Sequence, residues 1–247
     1  MNELVRKQLA IDFCCKEEDV EDNLNHFTEH TFLAGRRRFK EKEEVFLKVA
    51  VVNGKVLFSG KPEILSWCKN EYEKKTGEWF FEAKNMRKLN DKLHEYGYQI
   101  AMAHPFFISE KASEIDTKDF EIKYYRGKEI EQFRGDDRYD EAYSFCEEAP
   151  DVIGVSAIKD GKILGMAGAS ADSDMLWQIG INVDPSAGHA GIGKMLVALL
   201  KNEILKEGRL PYYGTGFSHL ASQRVALSSG FVPTWVELVT ERINTGE

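Results

Sequence analysis

The stretch from Val183 to Lys194 constrains the fold of this chain more than any other part of its sequence. It joins an apolar segment, residues 175–183, to a helical pattern of apolar residues that continues beyond Lys194. Its glycines let the backbone turn sharply and approach a ligand closely. Amides at the start of a helix, together with the helix dipole, suit a pyrophosphate or another anion. The stretch therefore predicts a strand, a glycine-rich anion-binding loop and a helix, with an ordinary strand-to-helix turn as the alternative.

Two common phosphate-binding motifs do not describe this loop. Met195 and Leu196 follow Gly193-Lys194, so the third glycine of the dinucleotide fingerprint is absent. No Ser or Thr follows Lys194, so the loop is not a P-loop. Lys194 nevertheless adds a positive charge in a first turn where the helix dipole favours an acid, which fits an anionic partner.

The composition narrows the class of protein. The 247 residues are 43% hydrophobic and carry a formal net charge of −8, which excludes a disordered chain and argues against sequence-independent nucleic-acid binding. No apolar run is long enough for a membrane span, and none follows the first residues as a secretory signal would. The four cysteines have no C-x₂-C spacing, so reduced and mostly buried thiols are expected. We expect a cytoplasmic protein with no nucleic-acid or membrane partner.

The second half alternates strands and helices in a clear order. A hairpin turn at Asp160-Gly161 joins two of the strands. The pattern predicts strands at 120–125, 152–157, 163–169, 175–183, 210–213 and 231–239, and helices at 140–147, 188–206 and 218–228. This order predicts an α/β (α+β) domain.

The first half has a mixed pattern of helices and strands. Its predicted boundary is the polar stretch before residue 119, which divides the chain into domains 1–118 and 119–247. A hairpin is expected at 45–58 around Asn53-Gly54, and a helix begins at Pro62. Further helices are predicted at 19–30 and 85–96, and strands at 79–81 and 98–108. The large aromatic residues are expected in the core: Phe32, Phe39, Trp67, Trp79, Phe106 and Phe107. The basic cluster Arg36-Arg37-Arg38, Lys40 and Lys42 is expected to form a solvated face paired with Glu41, Glu43 and Glu44, with an anion site as the alternative.

The segment Val152–Val239 resembles the GCN5-related N-acetyltransferase (GNAT) superfamily. Val183-Asp184-Pro185 resembles the family's V-x-P strand end, and Gly191-Ile192-Gly193 its G-x-G loop. The helix at 222–231 ends in Gly-Phe, as the family's second helix does. The chain departs from the family where Gly188 replaces Arg or Gln, where His219 replaces a frequent Asn and where Ala226 replaces a frequent Tyr. The first half looks like the additional N-terminal α/β half of a bacterial subset.

The resemblance implies a mixed, mostly antiparallel sheet flanked by helices, with acetyl-CoA bound in a split between strands 175–183 and 210–213. The pantetheine arm would pair with the first strand, and a bulge at Gly180 is expected to open the split. Close packing against Trp177 or Trp235 is the alternative for that glycine. The implied cofactor-binding residues are Ile181, Asn182, Val183, Gly188, His189, Ala190, Gly191, Ile192, Gly193, Lys194 and Ser222.

The resemblance also implies direct transfer from the thioester, without a covalent enzyme intermediate or a metal. The Ile181 N–H is expected to polarise the thioester carbonyl. His219 and Tyr213 are the predicted catalytic side chains, and Tyr212 is a further proton-donor candidate. An acyl route through Cys146 is discounted because the sequence places no partner for it.

The sequence leaves several candidates for the base that deprotonates the amine. The candidates are Asp172, Asp174 and Glu237, each with a solvated surface acid as the alternative. Deprotonation relayed by water is a further option.

The implied function is an acetyl-CoA-dependent N-acyltransferase that acts on a small-molecule or peptide amine. A non-catalytic CoA-binding sensor is the alternative, because of the departures at positions 188 and 226. A third hypothesis is an interaction protein whose cleft is closed. The first half would cover the acceptor mouth or form a homodimer.

Overall fold

Helices and short strands alternate along most of the chain. The structure is a computed structural model that describes residues 1–38, 45–117, 119–187 and 191–243. The helices are α1 (Glu3–Asp12), α2 (Glu17–Glu21), α3 (Pro62–Tyr72), α4 (Ala83–His94), α5 (Ile192–Lys206) and α6 (Leu220–Ser228). The strands are β1 (His26–Glu29), β2 (Leu47–Val52), β3 (Lys55–Gly60), β4 (Tyr98–Ile108), β5 (Glu121–Arg126), β6 (Asp151–Lys159), β7 (Lys162–Ser170), β8 (Leu176–Val183), β9 (Leu210–Gly214) and β10 (Val232–Arg242). Among these residues, none of the helices combines the length and hydropathy needed to cross a bilayer.

The chain divides into two compact units that interleave in sequence. Unit 1 comprises residues 1–36, 40–106 and 234–247, and unit 2 comprises residues 37–39 and 107–233. Most of β10, the last strand, lies in unit 1 because it pairs antiparallel with β2 from Trp235↔Val52 to Val239↔Lys48. The assignment of separate roles to residues 1–118 and 119–247 stays a prediction.

Unit 1 contains strands in the order β1-β3-β2-β10-β4. Its core is aromatic: the Phe58 ring stacks on Phe27 and Tyr72, and Phe80 meets Phe58 edge-on. Helix α1 begins at Asn2, whose Oδ1 accepts from the Leu4 amide at 2.8 Å. Helix α3 begins at Pro62, as predicted.

Both predicted hairpins are confirmed, and they use the same turn chemistry. Asn53 and Gly54 have φ values of 50° and 76°, and Asp160 and Gly161 have 51° and 76°. Two successive residues with positive φ give the turn that matches the twist of paired strands, and Asn-Gly and Asp-Gly adopt it at low cost.

Three of the secondary-structure elements predicted from the sequence are wrong. Within 19–30 the helix ends at Glu21, because Asp22 Oδ1 accepts from the Leu24 amide at 3.0 Å and starts a turn toward β1. Residues 79–81 are not a strand, since Gly77–Trp79 form a 3₁₀ turn. Residues 140–147 are not a helix, since the chain there follows a 3₁₀ turn, Asp137–Tyr139, with an irregular segment.

Some burial predictions also fail. Trp79 and Phe32 are 63% and 50% exposed, so neither belongs to the core, whereas Phe106 and Phe107 are buried. Phe39 lies outside the described residues. All four cysteines are free, but only Cys68 is fully buried, fewer than expected.

Unit 2 contains strands in the order β9-β8-β7-β6-β5. All neighbours are antiparallel except β8 and β9, which are parallel. Helix α5 packs on one face against a core that includes Val155, Ala167, Ile179, Leu196 and Leu200. The opposite face carries a second cluster around Tyr125, Phe133, Tyr143 and Met166. The mixed, mostly antiparallel sheet with flanking helices confirms the predicted fold class.

Three glycines lie side by side across this second face. Gly154 on β6 is opposite Gly168 on β7, which is opposite Gly180 on β8. A Cβ atom on any of them would come within 1.7 to 1.9 Å of an oxygen atom of residues 141–143. The row of glycines therefore lets this irregular segment rest directly on the backbone of the sheet.

Candidate functional site

Strands β8 and β9 separate part of the way along their length. Their parallel pairing runs from Leu176↔Leu210 to Gln178↔Tyr212 and stops there. The other edge of β8 stays paired with β7 as far as Val183↔Gly165. Beyond Gln178, one edge of β8 is therefore open while the strand itself is held in place.

The backbone groups on that open edge can be identified from the register. The Asp184 amide donates to Leu164 C=O at 2.9 Å, so the main-chain groups of residue 184 point toward β7. Direction alternates along an antiparallel strand, so Gly180 and Asn182 also point toward β7. The N–H and C=O groups of Ile181 and Val183 point the other way, into the split, whereas the Ile179 N–H is used in the last pairing with β9.

Helix α5 begins close to the end of β8 because two glycines permit close packing. A Cβ on Gly165 would lie 2.8 Å from Ile192 Cγ2, so a side chain at this position would push the first turn of α5 away from β7. At Gly193, the place of a Cβ is 3.6 Å from Val183 and 3.7 Å from Ile181. The helix start is thus fixed beside the last residues of β8.

The backbone at the start of α5 suits an anion. Gly191 is the helix N-cap in the left-handed region, with φ 72°. The first helical bond runs from the Met195 amide to Gly191 C=O at 3.0 Å. The amides of Ile192, Gly193 and Lys194 come before it, and such amides at a helix start bind anions. The Lys194 side chain is exposed at the same turn.

The turn that leaves β8 is stabilised independently. Asp184 Oδ1 accepts from the Ser186 amide at 2.8 Å, and Asp184 Oδ2 pairs with Lys162 Nζ at 2.7 Å. These hydrogen bonds from Lys162 and Ser186 hold the pKa of Asp184 below its usual range. The predicted cofactor residues Gly188, His189 and Ala190 follow this turn and lie outside the described residues.

The predicted bulge in β8 is wrong. The β7–β8 register is unbroken from Gln178 to Val183, and Gly180 lies directly opposite Gly168. The split results from the divergence of β9 and not from a kink in β8. Gly180 is a close-packing glycine, but its neighbour is the Glu141 carbonyl and not Trp177 or Trp235.

The structure brings together two of the predicted site residues, Tyr213 and Ser222. The Tyr213 hydroxyl lies 2.9 Å from Ser222 Oγ, which joins β9 to the first turns of α6. Tyr213 is 3% exposed, and burial raises its pKa, the Ser222 hydrogen bond lowers it and the negative charge of Glu141 raises it further. His219, the other predicted catalytic side chain, is exposed at the N-cap of α6.

A buried polar network lies where β8 and β9 begin to diverge. Asp172 Oδ2 accepts from Arg38 Nε at 2.7 Å and from the Tyr212 hydroxyl, and Oδ1 accepts from Ser170 Oγ at 2.6 Å. Gln178 Oε1 accepts from Arg38 Nη2 at 3.2 Å. Burial and the Asp172 charge both raise the pKa of Tyr212 far above its usual value.

This network corrects two predictions. Asp172 is not a solvated surface acid, since its side chain is fully buried and accepts three hydrogen bonds. Arg36 does not belong to a solvated face, since it is 3% exposed and contacts His30, and Arg38, which is exposed, pairs with Asp172 and not with the predicted glutamates. Lys40, Glu41, Lys42, Glu43 and Glu44 lie outside the described residues.

Of the other predicted bases, Asp174 does not lie on the open edge of β8. Asp174 is exposed and lies two residues before Leu176, the first residue of β8. The open edge begins near Gly180, which is about 13 Å along the strand from Leu176. Glu237, in unit 1, pairs with Lys48 Nζ at 3.3 Å and accepts from Trp235 Nε1 at 3.1 Å.

Sequence reasoning missed the segment at 140–143 that covers β8. Asn182, predicted to bind the cofactor, uses its side chain to hold this segment: Oδ1 accepts from the amides of Glu141 and Ala142 at 3.1 and 2.8 Å, and Nδ2 donates to Asp140. A signal was present, because Gly154 and Gly168 lie at nearly equal distances from the Asp160-Gly161 turn. That spacing predicts adjacent glycines on paired strands.

Comparison with models of protein families finds a match. The sequence model of the Acetyltransferase (GNAT) family matches residues 111–231. No curated protein matches the chain significantly. A GNAT-family structure from Novosphingobium aromaticivorans shares 16% identity over 58% of this chain and 66% of that chain, with a TM-score of 0.42.

Two further solved structures are similar. A GCN5-related N-acetyltransferase-like protein from Streptococcus suis shares 15% identity over 79% of this chain and 83% of that chain, with a TM-score of 0.46. A GCN5-related N-acetyltransferase from Kribbella flavida shares 15% identity over 66% of this chain and 64% of that chain, with a TM-score of 0.45. The chain spans just under two thirds of the Novosphingobium and Kribbella structures.

Proposed function

Because residues 111–231 match the Acetyltransferase (GNAT) family, we propose that the chain is an acetyl-CoA-dependent N-acetyltransferase of that family. It transfers the acetyl group directly from the thioester to an amine of a small molecule or peptide. The observation that carries this proposal is the open edge of β8 beyond Gln178, next to the start of α5.

The open edge suits the amide-containing arm of the cofactor. A pantetheine chain has amide groups that pair with free strand N–H and C=O groups as an added strand would. Ile181 and Val183 supply such groups at alternate positions. At the far end of this edge, the amides of Ile192, Gly193 and Lys194, next to Gly191, bind the pyrophosphate.

The chemistry follows from this placement. The Ile181 N–H donates to the thioester oxygen, where negative charge develops as the amine attacks. The Tyr213 hydroxyl, hydrogen-bonded to Ser222, donates its proton to the leaving CoA thiolate. His219, at the exposed start of α6, is the second proton donor to be tested.

A non-catalytic CoA-binding sensor is the competing function. The observation that favours it is Ala226, which is fully buried in α6 and has no hydroxyl to donate. A sensor would bind the cofactor and transfer nothing.

Calorimetry and turnover separate these functions. The wild-type chain is titrated with acetyl-CoA and with CoA, and thiol release is measured with tyramine, spermidine and a peptide with an N-terminal alanine. Binding with thiol release above the no-amine rate supports the transferase. Binding without release favours the sensor, and no binding at millimolar acetyl-CoA contradicts both.

A further inference from the structure

The proposed reaction needs a group that removes a proton from the acceptor, and the three acids suggested by the sequence do not serve. Amines are mostly protonated at neutral pH, so an unassisted acceptor is a poor nucleophile. Asp172 is fully buried and committed to Arg38, Ser170 and Tyr212.

Glu141 lies where such a group is required. Its carbonyl oxygen occupies the space that a side chain on Gly180 would take, two residues past the last β8–β9 pair. Its amide is held by Asn182 Oδ1 at 3.1 Å. The backbone of Glu141 is therefore fixed against β8 at the mouth of the split, on the face opposite α5.

The carboxylate of Glu141 is available for a ligand. Glu141 is exposed, and its side chain has no hydrogen bond or ion pair with another described residue. The charged neighbours on its own segment are engaged elsewhere: Asp140 accepts from Asn182 Nδ2 at 2.9 Å, and Arg138 pairs with Asp136 at 2.6 Å. Burial is the main reason for the raised pKa of Tyr213, and the charge of Glu141 raises it further.

We propose that Glu141 binds the ammonium group of the acceptor and acts as the general base of acetyl transfer, an inference that rests on the proposed function. The acceptor ammonium gives one proton to the Glu141 carboxylate, and the free amine attacks the thioester carbon. As the C–S bond breaks, the thiolate takes the Tyr213 proton, and the phenolate regains one from the nitrogen of the new amide. Glu141 then releases its proton to water, so each turnover yields one amide, one thiol and one proton.

The arrangement also limits the acceptor. The Glu141 carboxylate attracts a primary ammonium by its opposite charge, and a neutral hydroxyl acceptor lacks that attraction. The class of acceptor is therefore a primary amine that is protonated in solution.

The test is the pH dependence of kcat/KM for Glu141→Gln, measured with the amine of the three that the wild type turns over fastest. Without the base, only the free amine reacts, so kcat/KM of the variant rises about tenfold per pH unit until the pH reaches the pKa of the amine. We expect a deficit of about 100-fold or more at pH 7 that shrinks steadily as pH rises. The affinity for acetyl-CoA stays unchanged in calorimetry.

Glu147→Gln is the matched control, since it removes the same charge from an exposed position on the same segment. It should keep the wild-type profile. A Glu141→Gln profile parallel to that of the wild type, or a deficit that does not change with pH, would overturn the role of Glu141 while the transferase function stands. No turnover by the wild type would overturn the proposed function itself, and the base with it.

Discussion

The carbonyl oxygen of Glu141 sits 1.8 Å from the place where a Cβ of Gly180 would be. Strand β8 therefore needs a glycine at this position because the backbone of another segment occupies the side-chain space. The same contact fixes the mouth of the proposed acceptor site.

Gly180→Ala should displace residues 141–143 and destabilise the protein. Forcing a methyl group against a backbone atom in a packed region costs about 1–3 kcal/mol of unfolding free energy. Urea denaturation measures the loss. Gly216→Ala is the control, because a Cβ there meets nothing within 4 Å, and its free energy of unfolding should change by less than about 0.5 kcal/mol. Equal stability of the two variants would show that the contact at Gly180 is not tight.

Gly191→Glu should abolish acetyl-CoA binding while the protein stays folded. Gly191 faces open space, so the new carboxylate lies at the proposed pyrophosphate site and repels it. Gly191→Ala carries the same backbone strain at φ 72° without the charge, and it should keep its dissociation constant within about tenfold. Calorimetry measures both. If Gly191→Glu binds as well as Gly191→Ala, the phosphates lie elsewhere.

Lys194→Ala should weaken acetyl-CoA binding by less than about tenfold, since an exposed cation contributes at most about 1 kcal/mol. The backbone amides remain to hold the anion. Lys206→Ala, at the other end of α5, removes an equal charge and should leave the dissociation constant unchanged. A loss of more than 100-fold in Lys194→Ala would mean that the side chain, and not the backbone, dominates the site.

Lys201→Met should lower stability. Lys201 is 1% exposed, and its Nζ donates to Ser229 C=O at 2.7 Å and to Ser113 Oγ at 2.6 Å, so it connects the C-terminal end of α6 to residue 113. Removing it leaves these buried acceptors unsatisfied, at a cost of about 1–3 kcal/mol. Lys206→Met removes only a surface pair and should cost less than about 0.5 kcal/mol in the same denaturation experiment. If Lys201→Met leaves the free energy of unfolding unchanged, water has taken the place of the ammonium group.

His30 should make unit 1 sensitive to acid. Burial and the neighbouring Arg36 charge lower its pKa from 6.5 to about 4, so it is neutral in the folded chain. The unfolded chain takes up a proton at higher pH, and stability is lost as pH falls from about 6.5 to about 4.

The comparison of His30→Gln with the wild type isolates this contribution. At pH 7.5 the variant should be less stable by about 1 kcal/mol, because the hydrogen bonds to Ser59 and Arg36 are lost. At pH 5 the difference in unfolding free energy should shrink. The wild type loses stability there, because its histidine is protonated in the unfolded chain and neutral in the folded chain, and the variant has no such histidine. His94→Gln, at an exposed position, is the control, and at pH 7.5 it should change the free energy of unfolding by less than about 0.5 kcal/mol. A constant difference for His30→Gln would contradict the assignment.

The sequence by itself determined the features that depend on a few neighbouring residues. Asn53-Gly54 and Asp160-Gly161 specify their hairpins, because these pairs adopt positive φ at low cost wherever they occur. The loop glycines and the apolar pattern that follows them predicted helix α5 and, with the Gly-Phe motif, the GNAT family. The choice of Ile181 and Val183 as pantetheine-binding residues came from the family resemblance, and their binding role stays a prediction.

Only the tertiary structure decided how distant segments meet. Asp172 looked like a surface acid until Arg38, 134 residues away in sequence, covered it. The position of Glu141 depends on Asn182, 41 residues further on, which accepts from its amide. It also depends on three strands that each contribute a glycine beneath residues 141–143. Local propensity has no information about such contacts: their free energy comes from burial and close packing between segments, and these exist only once the sheet has formed.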